Sequence, residues 1–65
     1  MRVVKVSAIL KVLQKDGWFL VRQKGSHRQF HHPTKKETVT VNGQPSSDVS
    51  GDLLKSIEKQ AGVKI

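Results

Sequence analysis

Residues 18–33 read Trp18-Phe19-Leu20-Val21-Arg22-Gln23-Lys24-Gly25-Ser26-His27-Arg28-Gln29-Phe30-His31-His32-Pro33, and the Gly25-Ser26 pair at their centre decides how the chain folds. Trp18 to Lys24 is rich in aromatic and branched residues, too short for an ordinary helix, and bounded by Gly17 and Gly25, which predicts a strand. Gly at the first central position suits a two-residue type II′ hairpin loop. That loop turns His27 to His32 back antiparallel on the first run, and Pro33 ends the second strand. Working outward, Thr38-Val39-Thr40-Val41 alternates with period two and predicts a third strand, reached through the polar Pro33 to Glu37 turn. Upstream, Ser7 to Lys15 predicts a helix with Ser7 as its cap, Gly17 at its end and Val6, Ile9, Leu10 and Leu13 on one face. Downstream, Gly43 to Val49 reads as a loop. A second helix follows, with Ser50 as cap, Asp52 in its first turn, Leu53, Leu54, Ile57 and Ala61 as its apolar face, and Gly62 at its end. The expected architecture is therefore a single α+β domain over residues 1–65, a two-layer sandwich in the order helix, three antiparallel strands, helix.

Side-chain alternation assigns the faces of the sheet. Arg28, Phe30 and His32 share one side of the second strand, and His27, Gln29 and His31 share the other. Phe30 decides which side is core, because burying such a ring is worth roughly 1.5–3 kcal/mol. His27 is then expected on the open side. Val39 and Val41 are expected to point inward, with Thr38 and Thr40 outward. In the first strand Trp18 and Leu20 alternate with Phe19 and Val21, so either pair can be core. Phe19 and Val21 are expected inward, and Trp18 as semi-buried packing.

Size and charge limit what such a domain does. The chain has 65 residues, with 12 Lys and Arg against 5 Asp and Glu, giving a net charge of +7, and it has no Cys. A chain this short buries only about 60% of the surface its unfolded form exposes, so a deep substrate cavity is excluded and the working surface is shallow. The absence of Cys removes disulfides, Cys-based zinc sites, iron–sulfur clusters and thiol nucleophiles. No apolar run approaches the roughly 20 residues of a membrane span, which predicts a cytosolic protein. The basic excess points to a polyanionic partner, either nucleic acid or an acidic protein surface.

Lys24-Gly25-Ser26-His27-Arg28 is the motif that bears chemistry. A histidine, with an ordinary pKa of about 6.5, exchanges protons near neutrality. A glycine turn lets backbone N–H groups approach an anionic oxygen, and Lys24 and Arg28 supply positive charge where it develops on phosphorus. RNA brings its own nucleophile in the 2′-hydroxyl, so this set requires no metal and no other cofactor. Composition and spacing alone leave a second reading open, in which Gly25-Ser26 is only a turn, His27 a surface residue, and Lys24, Arg28, Lys35 and Lys36 a solvated rim. Zinc is not expected at His27, His31 and His32: the first two sit about four rises of 3.3 Å apart and the third points the other way. Ser26 has no acidic orienter or elbow motif around it that would make it a nucleophile.

The chain resembles the HicA-type toxins, small mRNA interferases of toxin–antitoxin pairs. The resemblance runs through Lys5-Val6-Ser7, Asp16-Gly17-Trp18, Arg22 to Phe30, Val39-Thr40-Val41, Ile57 and Lys59-Gln60-Ala61-Gly62, and its most specific element is Lys24 to Arg28. It implies a double-stranded-RNA-binding-like fold and a catalytic role for His27, presented by the Gly25-Ser26 turn, while the motif itself makes Lys24, Gly25, Ser26 and Arg28 the expected substrate-binding residues. It also implies mRNA as substrate and a HicB-type antitoxin as the partner that covers the histidine. The sequence departs from the family after the third strand, where many relatives carry a Pro and a His and this chain has Asn42-Gly43-Gln44-Pro45. A non-catalytic RNA-binding module of the same fold is the alternative, and a protein that only docks an acidic partner is a third reading.

Overall fold

In the computed structural model, which describes residues 2–65, the elements run β1 (Val3–Lys5), α1 (Val6–Lys15), β2 (Phe19–Lys24), β3 (His27–His31), β4 (Val39–Val41), β5 (Asp48–Ser50) and α2 (Gly51–Ala61). The fold is α+β, with an antiparallel sheet in the order β2-β3-β4 and a separate two-stranded ribbon of β1 with β5. The three predicted strands and two helices are all present. The ribbon is an addition: Val4 stands opposite Val49, inside what the sequence reads as a loop from Gly43 to Val49.

One core joins the elements. Val6, Ile9 and Leu13 of α1 and Leu54, Ile57 and Ala61 of α2 meet Phe30, Val39 and Val41 of the sheet, with Val49 from the ribbon. Phe30, Val39 and Val41 face inward as alternation requires. Leu53 does not join its predicted face and is 58% exposed. Its neighbour Leu54 takes the core position, and the stripe of Leu54, Ile57 and Ala61 keeps the three- and four-residue steps of a helix.

The start of α1 is held differently from the expected Ser7 cap. Lys5 is the capping residue and makes no side-chain cap bond. Instead the first backbone amides of the helix donate to carbonyls of the segment before β5, Val6 N–H to Ser47 at 2.9 Å and Ser7 N–H to Pro45 at 3.0 Å. A distant backbone thereby satisfies donors that a helix leaves orphaned. Ser50 does precede α2 in extended conformation, again without a side-chain bond, and Gly62 ends that helix with φ 66°.

The faces of β2 also differ from the expected ones. Trp18 is 3% exposed, whereas Phe19, Leu20 and Val21 are 48%, 48% and 43% exposed. The inward reading of Phe19 and Val21 fails because the strand is not regular. Phe19 pairs with His31 and Leu20 with Phe30, but Arg22 pairs with Gln29, so Val21 is an extra residue in a bulge. One inserted residue reverses the alternation on either side of it. Trp18 therefore enters the core while Arg22 and Lys24 still point to the open face.

Trp18 is fixed by a polar cluster at the far end of the sheet from the hairpin. Its indole Nε1 donates to Asp16 Oδ2 at 3.1 Å, and Lys35 Nζ donates to the same oxygen at 2.6 Å and to the Ala61 carbonyl at 2.9 Å. The hydrogen bond from Lys35 holds the Asp16 carboxyl below the usual aspartate range. His32 packs edge-on against Trp18, with ring centroids 5.1 Å apart. Gly17, at φ 101°, is where the helix hands over to this cluster, and a Cβ there would stand 3.0 Å from His32 Nε2.

Candidate nucleic-acid interface

Helices cover one face of the β2-β3-β4 sheet, and the other face carries the candidate site. The β2–β3 turn is the origin of its geometry. Lys24 pairs with His27 across Gly25-Ser26, and Gly25 has φ 59° while no non-glycine residue among those described has positive φ. Positive φ at the first central residue alone is the signature of the expected type II′ loop. Gln23 Nε2 reaches over the turn to the Gly25 carbonyl at 3.0 Å. Nothing lies within 4 Å of where a Gly25 Cβ would stand, so the turn backbone is open to an approaching anion.

From the turn, the ladder sets out the rest of the face in pairs: Lys24 with His27, Arg22 with Gln29, and Phe19 with His31. Thr40 of β4 extends the middle row beside Gln29. Lys24, His27, Arg22 and Gln29, with Gly25, line an open depression of about 610 Å³. His27 is exposed there, with a cation directly opposite it and a second one pair further along. None of the five acidic residues falls within β2, β3 or β4, so every residue these strands place on the face is positive or neutral.

The predicted site residues separate into two groups. Lys24, Gly25 and His27 come together in the depression. Arg28 points to the opposite side, where its Nη1 donates to the Gly43 carbonyl at 2.8 Å and the Ser26 carbonyl at 3.3 Å. It clamps the hairpin to the segment after β4 and holds the turn that Gly25 and Ser26 form. Asn42 to Pro45, where the sequence departs from its relatives, thus supplies Gly43 to this clamp and Pro45 to the start of α1. Arg22 and Gln29 are members of the depression that the sequence reading did not single out. Their signal was their pairing, two steps from the turn on either strand.

The histidines also separate. His27 and His31 lie on the same face at opposite ends of β3, about 13 Å apart at the usual rise per residue. His32 is turned away from both: its Nε2 lies 2.7 Å from the Asp16 carbonyl, and its Nδ1 accepts the backbone N–H of Thr34 at 3.1 Å. Among the described residues no three His, Cys, Asp or Glu side chains converge as a metal site.

The fold and this face define a small basic α+β protein whose one chemically equipped surface is the open side of a three-stranded sheet. The family model for the HicA toxin of bacterial toxin–antitoxin systems matches residues 6–63, and the chain belongs to that family. It is a HicA toxin of a toxin–antitoxin system, and membership implies a cognate antitoxin. No curated protein matches the chain. Among the described residues no helix is long and apolar enough to cross a membrane.

Proposed function

We propose that the protein is an endoribonuclease that cuts mRNA in the cytoplasm, with His27 as its general acid or base and a HicB-type protein as its antitoxin. The observation that carries this reading is the exposed imidazole of His27 on a sheet face whose strands hold no carboxylate, opposite Lys24 and beside Arg22. The reaction needs no group that the chain lacks. The 2′-oxygen of the substrate attacks phosphorus as its proton passes to a base, and the bond to the 5′-oxygen breaks as that oxygen gains a proton. Neutral His27 serves the first transfer or protonated His27 the second. The other transfer falls to Lys24 or water, since His31 stands too far along the strand.

Lys24 and Arg22 offset the charge that builds on the non-bridging oxygens, and the open backbone of Gly25 and Ser26 offers N–H donors to the same charge. Arg28 acts as a positioning residue through the Ser26 and Gly43 carbonyls. A partner that shields this face must be acidic where it meets Arg22 and Lys24, which suits an antitoxin against a chain of charge +7.

Induced expression of the wild type beside His27→Ala in bacteria, with soluble levels matched, is the test. Growth arrest and fragmented transcripts are expected with the wild type alone, the fragments ending in 2′,3′-cyclic phosphate or its hydrolysis product. Equal fragmentation by His27→Ala, or fragments ending only in 3′-hydroxyl, overturns the mechanism. A wild type that binds RNA without cutting it identifies a non-catalytic RNA-binding module instead.

A further inference from the structure

Phe19 is the one aromatic residue of the sheet that the core does not use. It is 48% exposed, whereas Trp18 and Phe30 are 3% and 8% exposed. The bulge at Val21 brings it onto the same face as Arg22, Lys24 and His27, where it stands directly across from His31. Phe19 and His31 thereby form a cross-strand pair in line with the cations and the imidazole of the depression, on strands that carry no carboxylate. Along the β2–β3 ladder the order is His27 with Lys24, then Arg22 with Gln29, then Phe19 with His31.

We propose that Phe19, with His31 beside it, is a base-stacking subsite that holds single-stranded RNA across the open sheet face and feeds it to His27. The inference rests on the ribonuclease reading and adds to it the strandedness of the substrate and the residue that selects it. The Phe19 and His31 pair lies roughly 13 Å along the sheet from the Lys24 and His27 pair, a separation that a few unstacked nucleotides cover. Arg22 lies between the two pairs, where the intervening phosphate passes. An aromatic ring on an open sheet face captures any unstacked base, because every base has a π-face, and cations alongside track the backbone. A duplex cannot use the subsite: its bases are already stacked on one another, and only backbone and groove edges face outward. Charge complementarity favours RNA over a neutral apolar partner as the occupant, since Arg22 and Lys24 continue the row from the ring toward the turn and no acidic residue lies in the three strands.

The subsite is tested in a His27→Ala background, so that binding is read without cleavage. Fluorescence anisotropy of a labelled mixed-sequence oligoribonucleotide, single-stranded or annealed to its complement, is compared for that chain and for the same chain carrying Phe19→Ala or Phe19→Trp. Tighter binding of the single strand is expected, with Phe19→Ala weakening it about tenfold, the size of one lost base stack, and Phe19→Trp retaining it. Circular dichroism and melting of each variant establish that the fold is kept, as a half-exposed position allows. Unchanged affinity in Phe19→Ala, or preference for the duplex, overturns the subsite and leaves the exposed ring to a protein partner. The two readings fail separately. Transcript cleavage by a wild type whose Phe19→Ala variant binds RNA equally well rejects the subsite alone. Phe19-dependent binding with no cleavage rejects the ribonuclease alone.

Discussion

His27, His31 and His32 occupy three different environments, although they fall within six consecutive positions. Alternation from Phe30 places His27 and His31 on the open face, and both are exposed there. His32 leaves the strand and becomes structural. Its Nδ1 accepts backbone amide protons from Thr34 and, at 3.3 Å, from Lys35, so the ring is bonded as the tautomer whose proton sits on Nε2 and faces Asp16. Replacing it removes these bonds and the edge contact with Trp18. His32→Ala is therefore expected to cost about 1–3 kcal/mol of stability, whereas His27→Ala and His31→Ala stay within about 0.5 kcal/mol. Urea unfolding of the three variants checks this, and a His27→Ala loss as large as that of His32→Ala would contradict the division. The position of His27 was legible because one large apolar residue fixed the phase of β3. The role of His32 was not, because its partners Asp16 and Trp18 reach it only through the tertiary fold.

At the scale of elements, irregularity accounts for what the sequence concealed. A regular β2 must choose between Trp18 with Leu20 and Phe19 with Val21, and neither choice is right. The bulge lets Trp18 turn inward while Arg22 and Lys24 stay outward. No residue type marks Val21 as the extra one, so periodicity alone does not find it. The bulge makes a specific expectation about deletions. Removing Val21 leaves Leu20 opposite Phe30 and Arg22 opposite Gln29 with every side chain on its present face. Its effect on the melting temperature is expected to stay below about 8 °C, the shift that about 1 kcal/mol makes in a chain of this size. Removing Gln23 instead also closes the bulge and leaves Trp18, Phe19 and Leu20 in place, but it turns Arg22 to the helix side opposite Arg28 and sets Val21 opposite Gln29, so a larger loss is expected. Thermal melts followed by circular dichroism compare the two, and equal losses would refute the assigned register. The β1 and β5 ribbon escaped for a related reason. Three-residue strands carry too little alternation to be seen, and their pairing depends on a contact between the two ends of the chain.

At the scale of the whole molecule, the placement of charge matters more than its sum. Three of the five acidic residues are engaged in ion pairs away from the open face, Asp16 with Lys35, Asp48 with Lys5 and Glu58 with Arg2. The Glu58 carboxyl is held below its ordinary range by the Ile65 backbone N–H and by Arg2. These pairs are partly or fully exposed and add little stability, but they lie outside β2, β3 and β4 and leave Arg22 and Lys24 without a competing carboxylate in the sheet. Family membership and the basic excess were both legible in the sequence; the separation of the charges was not, because it follows from which residues the fold brings together. A polyanion read by this face must therefore show it in the salt dependence of binding. Each phosphate neutralised on single-stranded RNA contributes about −0.7 to the slope of log affinity against log salt. In the non-cleaving His27→Ala chain, Arg22→Gln and Lys24→Gln are each expected to make that slope shallower by about 0.7, while Lys55→Gln on α2 leaves it unchanged. Anisotropy titrations across a salt series measure all three. A slope altered by Lys55→Gln and untouched by Arg22→Gln would move the RNA to the helical side and away from His27. Reduction at Arg22 and Lys24 alone ties the polyanion to the same strands that carry His27 and Phe19.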